Sequence, residues 1–135
     1  MSKKQYRLPD YLEHILEACR KIKKFTHDLS ATEFSKNELI QDAVVRNIEI
    51  VGEAVANIRR AYPDFIATNP GLPWGDICDM RNQLIHGYMT VDLKIVWNTV
   101  ERDIPALEER VRELHWRLGN QAGQDGEHES GVTPP

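Results

Sequence analysis

The sequence lacks any apolar run long enough to cross a membrane, and no apolar signal core follows its start, Met1 to Arg7. A membrane-spanning helix needs about 20 consecutive apolar residues, and a secretory leader needs an apolar segment behind its basic start. We therefore expect a protein that neither spans a membrane nor is secreted, and we place it in the cytoplasm.

Cysteine is scarce, with two residues, Cys19 and Cys78, among 135. Two cysteines without a leader favour a reducing compartment and no disulfide framework. Cys19 falls on an apolar helical stripe and is predicted to be a buried thiol. No cluster of cysteine and histidine has the spacing of zinc ligands, so we expect no bound metal and no cofactor.

An excess of basic residues is also missing, because Lys and Arg number 17 against 21 Asp and Glu, for a net charge of −4. This balance excludes a protein that coats nucleic acid nonspecifically, but not an enzyme that binds RNA locally. Basic residues do cluster near the N-terminus, where a solvated helix face is the simpler interpretation.

Helical periodicity is present throughout, without sustained two-residue alternation and without an internal repeat. Apolar residues at three- and four-residue steps indicate amphipathic helices. The predicted helices cover about 9–28, 35–62 and 73–85, with two more after Asp92 and Pro105. The sequence therefore predicts an all-α antiparallel bundle of four to five helices. The helical domain is expected over 1–118, followed by a disordered acidic tail, 119–135.

Local residues predict where several helices begin and end. Ser35 to Glu38 has a capping-box pattern before the second helix, and Pro63 is expected to end that helix. Asp92 is a predicted cap of the fourth helix. Pro105 is expected to interrupt the last stretch, with Asp103 as a new cap.

The second predicted helix has a second apolar row, which consists of Leu39, Ala43, Ile50 and Ala54. A helix with two apolar faces needs two partners. One face belongs to the core, and two alternatives remain for the other. It forms a subunit interface, in a homodimer or higher even oligomer, or it is buried within a monomer.

Four chemically able side chains, Arg81, Asn82, His86 and Tyr88, lie close together at the end of the third predicted helix. Asn82 and His86 are four residues apart and share a helix face. Arg81 and His86 are five apart, about 140° around the helix axis. They meet only if the helix ends near His86, or if two chains complete one site.

These residue types suit RNA cleavage by the ribose 2′-hydroxyl. Histidine can take a proton from that hydroxyl or give one to the leaving 5′-oxygen. Arginine offers a planar charged fork to the phosphate, and Asn82 can hold the imidazole or a phosphate oxygen. With the 2′-hydroxyl as nucleophile no metal is needed. The alternative is that Arg81 and His86 only stabilise the C-terminal end of a helix.

Arg46 and Glu53 lie on one side of the second helix, with Glu49 between them. They form either a solvated edge with weak local pairs or a support in which Glu53 or Arg46 orients a catalytic group of the next helix. We include both residues as supporting members of the candidate site.

The spacing of Arg81, His86 and Tyr88 resembles the Arg-x4-His-x-Tyr motif of the HEPN superfamily, in its HepT toxin branch. Further matching segments follow in the family's order, within roughly Leu8 to Leu118. They are Ala43–Arg46, Ile50–Ala54, Tyr62–Pro63, Leu72–Trp74, Met80–Asn82, Val91–Asp92, Val96–Trp97 and Ile104–Leu107. The short motif is weak evidence, whereas the ordered set is strong.

The resemblance implies a helical bundle that dimerises around a shared cleft. It implies a metal-independent endoribonuclease toxin with Arg81 and His86 catalytic and Asn82 supporting them. It also implies a partner, an MntA-like nucleotidyltransferase antitoxin that transfers AMP onto Tyr88, where the added charge would block the phosphate site. Transfer RNA and messenger RNA are both compatible with this site as substrates, and the sequence does not distinguish between them.

Two other functions remain compatible with the sequence. The first is a non-catalytic helical module that binds a nucleotide or a protein and regulates a nucleotidyltransferase, with Arg81 and His86 on a nucleotide phosphate. The second is a dimerisation protein with no RNA site, supported by the second apolar row. For Tyr88 the corresponding alternative is a tyrosine that packs at a helix end.

Overall fold

A computed structural model of the protein describes residues 6–86 and 91–126, with side chains up to residue 120. This part of the chain is helical and contains no strand. Its elements are α1 (Leu8–Thr26), α2 (Ala31–Ser35), α3 (Glu38–Ala61), α4 (Pro63–Thr68), α5 (Trp74–His86), α6 (Leu93–Asn98), a π-helical turn (Thr99–Asp103) and α7 (Ile104–Gly126). The all-α prediction is confirmed.

The bundle is built from α1, α3, α5 and the continuous helix formed by α6, the π turn and α7. The start of α1 meets the end of α3, where the Tyr62 hydroxyl donates a hydrogen bond to the Tyr6 carbonyl at 3.3 Å. Late in α1, Lys23 Nζ lies 2.9 Å from Glu108 Oε1, early in α7. Both contacts show that α1 runs antiparallel to its two neighbours.

The core lies where α1 and α3 pack against each other, and it extends to α5 and α7. The side chains that fill it are almost fully buried and follow the predicted stripes, among them Leu12, Ile15, Ile22, Val44, Val51, Val55, Ile58 and Val111. Cys19 belongs to this group, as predicted, and burial raises the pKa of its thiol to about 12. Asn47 is buried too, and its side-chain amide donates to the Ala43 carbonyl at 2.8 Å.

The connection between α1 and α3 differs from the prediction. The capping box is formed by Ser30 and Glu33, each accepting a hydrogen bond from the other's backbone N–H, and it starts α2. Helix α3 is capped instead by the Asn37 side chain. A five-residue helix is unstable alone, but Phe34 is 1% exposed and its ring lies 5.0 Å from that of Trp97. Tertiary burial therefore stabilises an element that local periodicity does not indicate.

Pro63 follows the end of a helix, as predicted, whereas Pro105 does not interrupt the last helix. Helix α3 ends at Ala61, and Pro63 is the first residue of α4, a position where its missing N–H costs nothing. Pro105 does not break the last helix, so the predicted cap at Asp103 is wrong. The π turn over Thr99–Asp103 directly precedes it, and the wider turn accommodates a residue that cannot donate to the preceding turn.

The last helix continues past Leu118 to Gly126, beyond the domain boundary expected from composition. One glycine within a helix costs only about 1 kcal/mol relative to alanine, so Gly119 does not stop it. Residues 127–135 of the predicted tail lie outside the described residues, and the division at 118 stays a prediction. No helix of the described part is both long and apolar enough to cross a bilayer.

The second apolar row of α3 is only partly covered. Ala54 is buried, Ala43 and Ile50 are intermediate, and Leu39 is 81% exposed. The alternative in which this row is buried within a monomer is therefore wrong for its N-terminal end. The subunit interface stays a prediction.

Helices α3 and α5 are in close contact at Gly52. A Cβ atom added there would lie 2.1 Å from Cβ and 2.6 Å from Cγ of Arg81. Such contacts are far inside van der Waals distance, so any side chain at this position would push α5 away from α3. Gly52 thus fixes how near the Arg81 backbone sits to α3.

We expect Gly52→Ala to lower the free energy of unfolding by roughly 1–3 kcal/mol, because the added methyl group overpacks the α3–α5 contact. Gly75→Ala is the matched control, since a Cβ there meets nothing within 4 Å and alanine favours a helix. Urea unfolding of both variants measures the difference. Equal stability of Gly52→Ala and the parent would contradict the close packing.

Candidate active site

Arg81 lies at the α3–α5 contact, where its guanidinium forms an ion pair with Glu53 of α3. Its side chain is 26% exposed, whereas the Glu53 side chain is 43% exposed. A second N–H donates to Asn82 Oδ1 at 3.1 Å. The arginine is therefore oriented from both helices while one side of its fork still faces solvent.

The Nε atom of Arg81 is buried and has no hydrogen-bond partner among the described residues. An unsatisfied buried donor costs about 1–3 kcal/mol, and such groups are rare outside functional or hydrated positions. The surface arginines of the same chain form ion pairs within one helix, as Arg20 and Arg110 do. Arg81 differs from them because it has this buried donor.

Asn82 and His86 are both exposed on the outer side of α5, consistent with their spacing of four residues. His86 is the last residue of α5 and lines a groove of about 420 Å³ between α5 and α6, together with Asp92 and Ile95. Arg81 does not line this groove. Helix α5 ends at His86, as the single-chain alternative requires, but the two side chains have different neighbours, which are Glu53 for Arg81 and the α5–α6 groove for His86.

Arg46 lies on the same side of α3 as Glu53, but its contact is with Glu49, at 3.7 Å. The Arg46 side chain is largely exposed and reaches neither Arg81 nor His86. Of the two residues predicted to orient a catalytic group, Glu53 therefore contacts Arg81 and Arg46 does not. The roles of both stay predictions.

A larger groove, of about 810 Å³, follows this face of α3. One wall is formed by α3 and includes Arg46, Glu53 and Arg60; the other is formed by the start of α1, and Ile85 of α5 closes one side. The α1 wall consists of Tyr6, Tyr11 and His14, none of which is among the site residues predicted from the sequence. The α3 residues at 46, 50, 53, 57 and 60 are spaced as one helix face, a signal that could have identified the α3 wall.

Tyr88, the predicted site of AMP addition, lies outside the described residues, as does Gly87. In the described ranges, no three histidine, cysteine or carboxylate side chains are grouped as a metal ion requires. The expectation of a metal-independent site stays a prediction.

Comparison with known proteins agrees with the motif. The profile of the family described as "Ribonuclease HepT-like" matches residues 15–114. A protein of Thermococcus cleftensis named "Probable ribonuclease HepT" is 41% identical over 105 residues, covering 78% of this chain and 93% of the relative. A "Putative RNase" of Caldanaerobacter subterraneus is 38% identical over 104 residues, covering 77% and 90%.

No solved structure matches the chain significantly. The family match spans α1 to α7 and includes Glu53, Arg81 and His86, so the residues that the structure places at the α3–α5 contact and at the end of α5 all fall within it. The chain belongs to the HepT-like ribonuclease family.

Proposed function

We propose that the protein is an endoribonuclease and the toxin of a toxin–antitoxin pair, cleaving RNA by attack of the ribose 2′-hydroxyl. The observation that supports this most directly is the setting of Arg81. A permanently charged fork is fixed by Glu53 and Asn82 at a tight helix contact, with an exposed histidine five residues further on. Membership of a ribonuclease family supports the same reaction.

In the proposed reaction the 2′-oxygen attacks the adjacent phosphorus and the bond to the 5′-oxygen breaks, leaving a cyclic phosphate. His86 takes the proton of the 2′-hydroxyl or gives one to the leaving 5′-oxygen. Arg81 stabilises the negative charge that grows on the phosphate oxygens. Neither role needs a metal ion.

Glu53 acts in this proposal as a positioning residue. Its carboxylate contacts one terminal nitrogen of Arg81, and an arginine has five N–H donors, so donors remain for a phosphate. The Glu53 carboxylate holds the guanidinium in place, and the RNA phosphate would bind through the N–H groups that the carboxylate leaves free. Arg46, which pairs with Glu49, would instead support binding along the groove.

The active site in this proposal is shared by two chains. Within one chain Arg81 is directed toward α3 and His86 toward the α5–α6 groove. Exposed isoleucines adjoin the histidine, with Ile85 42% and Ile95 46% exposed, which suits contact with a second copy. In a two-fold dimer each Arg81 would meet the partner's histidine, and both sites would be equivalent.

We expect the pure protein to cleave single-stranded RNA in the presence of EDTA, leaving cyclic phosphate ends. His86→Ala should lower the cleavage rate about 100-fold or more, since acid–base groups contribute at least that much. His27→Ala, a histidine at the exposed end of α1, is the matched control. Full activity of His86→Ala would rule out its catalytic role, and dependence on added metal would refute the mechanism.

Mixing two inactive variants tests the shared site. Arg81→Ala and His86→Ala chains, unfolded together and refolded, should regain about a quarter of the parent activity, because half of the dimers are mixed and each mixed dimer has one intact site. Each variant refolded alone is the control. If the mixture stays inactive although mass spectrometry shows mixed dimers, both residues act within one chain.

Regulation by an antitoxin is the second part of the proposal. A nucleotidyltransferase partner would transfer AMP from ATP to the Tyr88 oxygen, which attacks the α-phosphorus as pyrophosphate leaves. Tyr88 is two residues beyond His86, so the new phosphate would carry negative charge to the position where RNA phosphate binds. Like charges at one site disfavour binding.

Intact mass measurement of the protein, co-produced with the nucleotidyltransferase encoded beside it, should show an increase of one or more AMP units. Peptide mapping should place the increase on the peptide that contains Tyr88, and the Tyr88→Phe variant should show none. An unmodified Tyr88 beside an active partner and ATP would refute this regulation without affecting the ribonuclease proposal.

A further inference from the structure

The groove along α3 has a regular arrangement of charges, one of which, Arg60, has no role in the proposed reaction. Arg46, Glu53 and Arg60 are seven residues apart and line the same groove. Seven residues of α-helix rise about 10.5 Å. The Glu53–Arg81 ion pair therefore lies between two arginines, each about two helical turns away.

The charged side chains of the groove differ in whether they already have an ion-pair partner. The carboxylates of Glu49 and Glu53 are each paired with an arginine. Arg60 donates one hydrogen bond, to Asn57 Oδ1 at 2.5 Å, and forms no ion pair among the described residues. Most of its guanidinium N–H groups remain available for an anion.

Opposite Arg60 lies an aromatic wall, formed by Tyr6, Tyr11 and His14 of the α1 region. The Tyr6 and His14 rings meet edge to face with centroids 4.7 Å apart. The wall is anchored to the bundle, because the Tyr6 N–H donates to the Tyr11 hydroxyl and the Tyr62 hydroxyl donates to the Tyr6 carbonyl. Rigid aromatic surfaces of this kind bind nucleobases with little sequence preference.

We propose that this groove is a subsite for single-stranded RNA adjoining the scissile phosphate, with a phosphate on Arg60 and its base against the Tyr6–His14 wall. The inference rests on the proposed ribonuclease function and adds where the strand lies. A strand along α3 would meet Arg60 on one side of Arg81 and Arg46 on the other.

The Arg60 end of the groove is the part that favours this occupant over a protein. Between Arg46 and Arg60 the groove wall combines the partly exposed Glu53 carboxylate with the apolar residues Ile50 and Ala54, a mixture that a protein partner could also contact. Cations beside aromatic rings are the combination that single-stranded nucleic acid requires. An RNA of ordinary length would also extend beyond the Arg81 contact in both directions.

Two adjacent arginines provide a matched test. Arg60 lines the groove, whereas Arg59 interacts with Cys78 and Asp79 of α5, and both side chains are exposed. Arg60→Gln and Arg59→Gln remove the same charge from the chain. The probe is a fluorescent single-stranded RNA whose 2′-hydroxyls are methylated, so that it binds but is not cleaved.

We expect Arg60→Gln to reduce the dependence of log affinity on log salt by about 0.7, the value for one phosphate contact in a single strand. If variant and parent bind equally at 1 M salt, a slope difference of about 0.7 makes the variant bind roughly fivefold more weakly than the parent at 0.1 M. Arg59→Gln should keep the parent slope. In cleavage assays Arg60→Gln should raise KM and leave kcat unchanged, because Arg60 does not contact the reacting atoms.

His14→Ala tests the aromatic wall and should weaken binding severalfold without changing the salt slope, since stacking releases no counterions. If Arg60→Gln and Arg59→Gln behave alike while the parent cleaves RNA, the subsite is wrong and the ribonuclease proposal stands. If Arg60→Gln changes the solution mass and not the affinity, a second copy of the chain covers the groove, and the subsite is again wrong. A parent that neither binds nor cleaves RNA overturns both proposals.

Discussion

The close packing of α3 against α5 at Gly52 is the constraint on which the candidate site depends. It places the Arg81 backbone against α3, and the Arg81 side chain then reaches the Glu53 carboxylate. With a larger residue at position 52 the two helices would separate, and the ion pair would lengthen with them. The orientation of the guanidinium is therefore set by helix packing first and by electrostatics second.

The ion pairs along α3 explain how an acidic chain can present a cation to an anionic ligand. The net charge of −4 excludes broad attraction to nucleic acid, since nonspecific binding needs an excess of phosphate-neutralising residues. Along α3, however, the carboxylates nearest the groove are paired with arginines. Arg60 forms no ion pair in the described part of the chain, so it can offer a positive charge to an anion although the chain as a whole is acidic.

The separation of Arg81 and His86 within one chain is the reason for proposing a dimer with a shared site. Five residues of regular helix place two side chains on different sides, and the helix persists to His86. In the proposed dimer, a second chain supplies the histidine beside Arg81 without distorting either helix. The proposed dimer therefore accounts both for the exposed isoleucines near the end of α5 and for the proposed chemistry.

The fold class follows from the sequence alone, because apolar residues at helical spacing occur in every long segment and the main stripe of each long helix is buried in the core. The sequence also determined the candidate chemistry, since the Arg81–Tyr88 spacing and the ordered segments around it identify the family that the comparisons show. Both predictions rest on residues that lie close together in the sequence, within one helix or one short motif.

Features that depend on contacts between distant segments could not be predicted from the sequence and became visible in the folded chain. Helix α2 exists because Phe34 packs on Trp97, and the last helix passes Pro105 because a π turn precedes it. The choice of Glu53 over Arg46 as the neighbour of Arg81 depends on where α5 crosses α3. The aromatic wall of the groove, too, forms only when the start of α1 meets the end of α3. Periodicity states which residues face inward, but the partner across an interface depends on helix crossing and side-chain reach, which no single segment encodes.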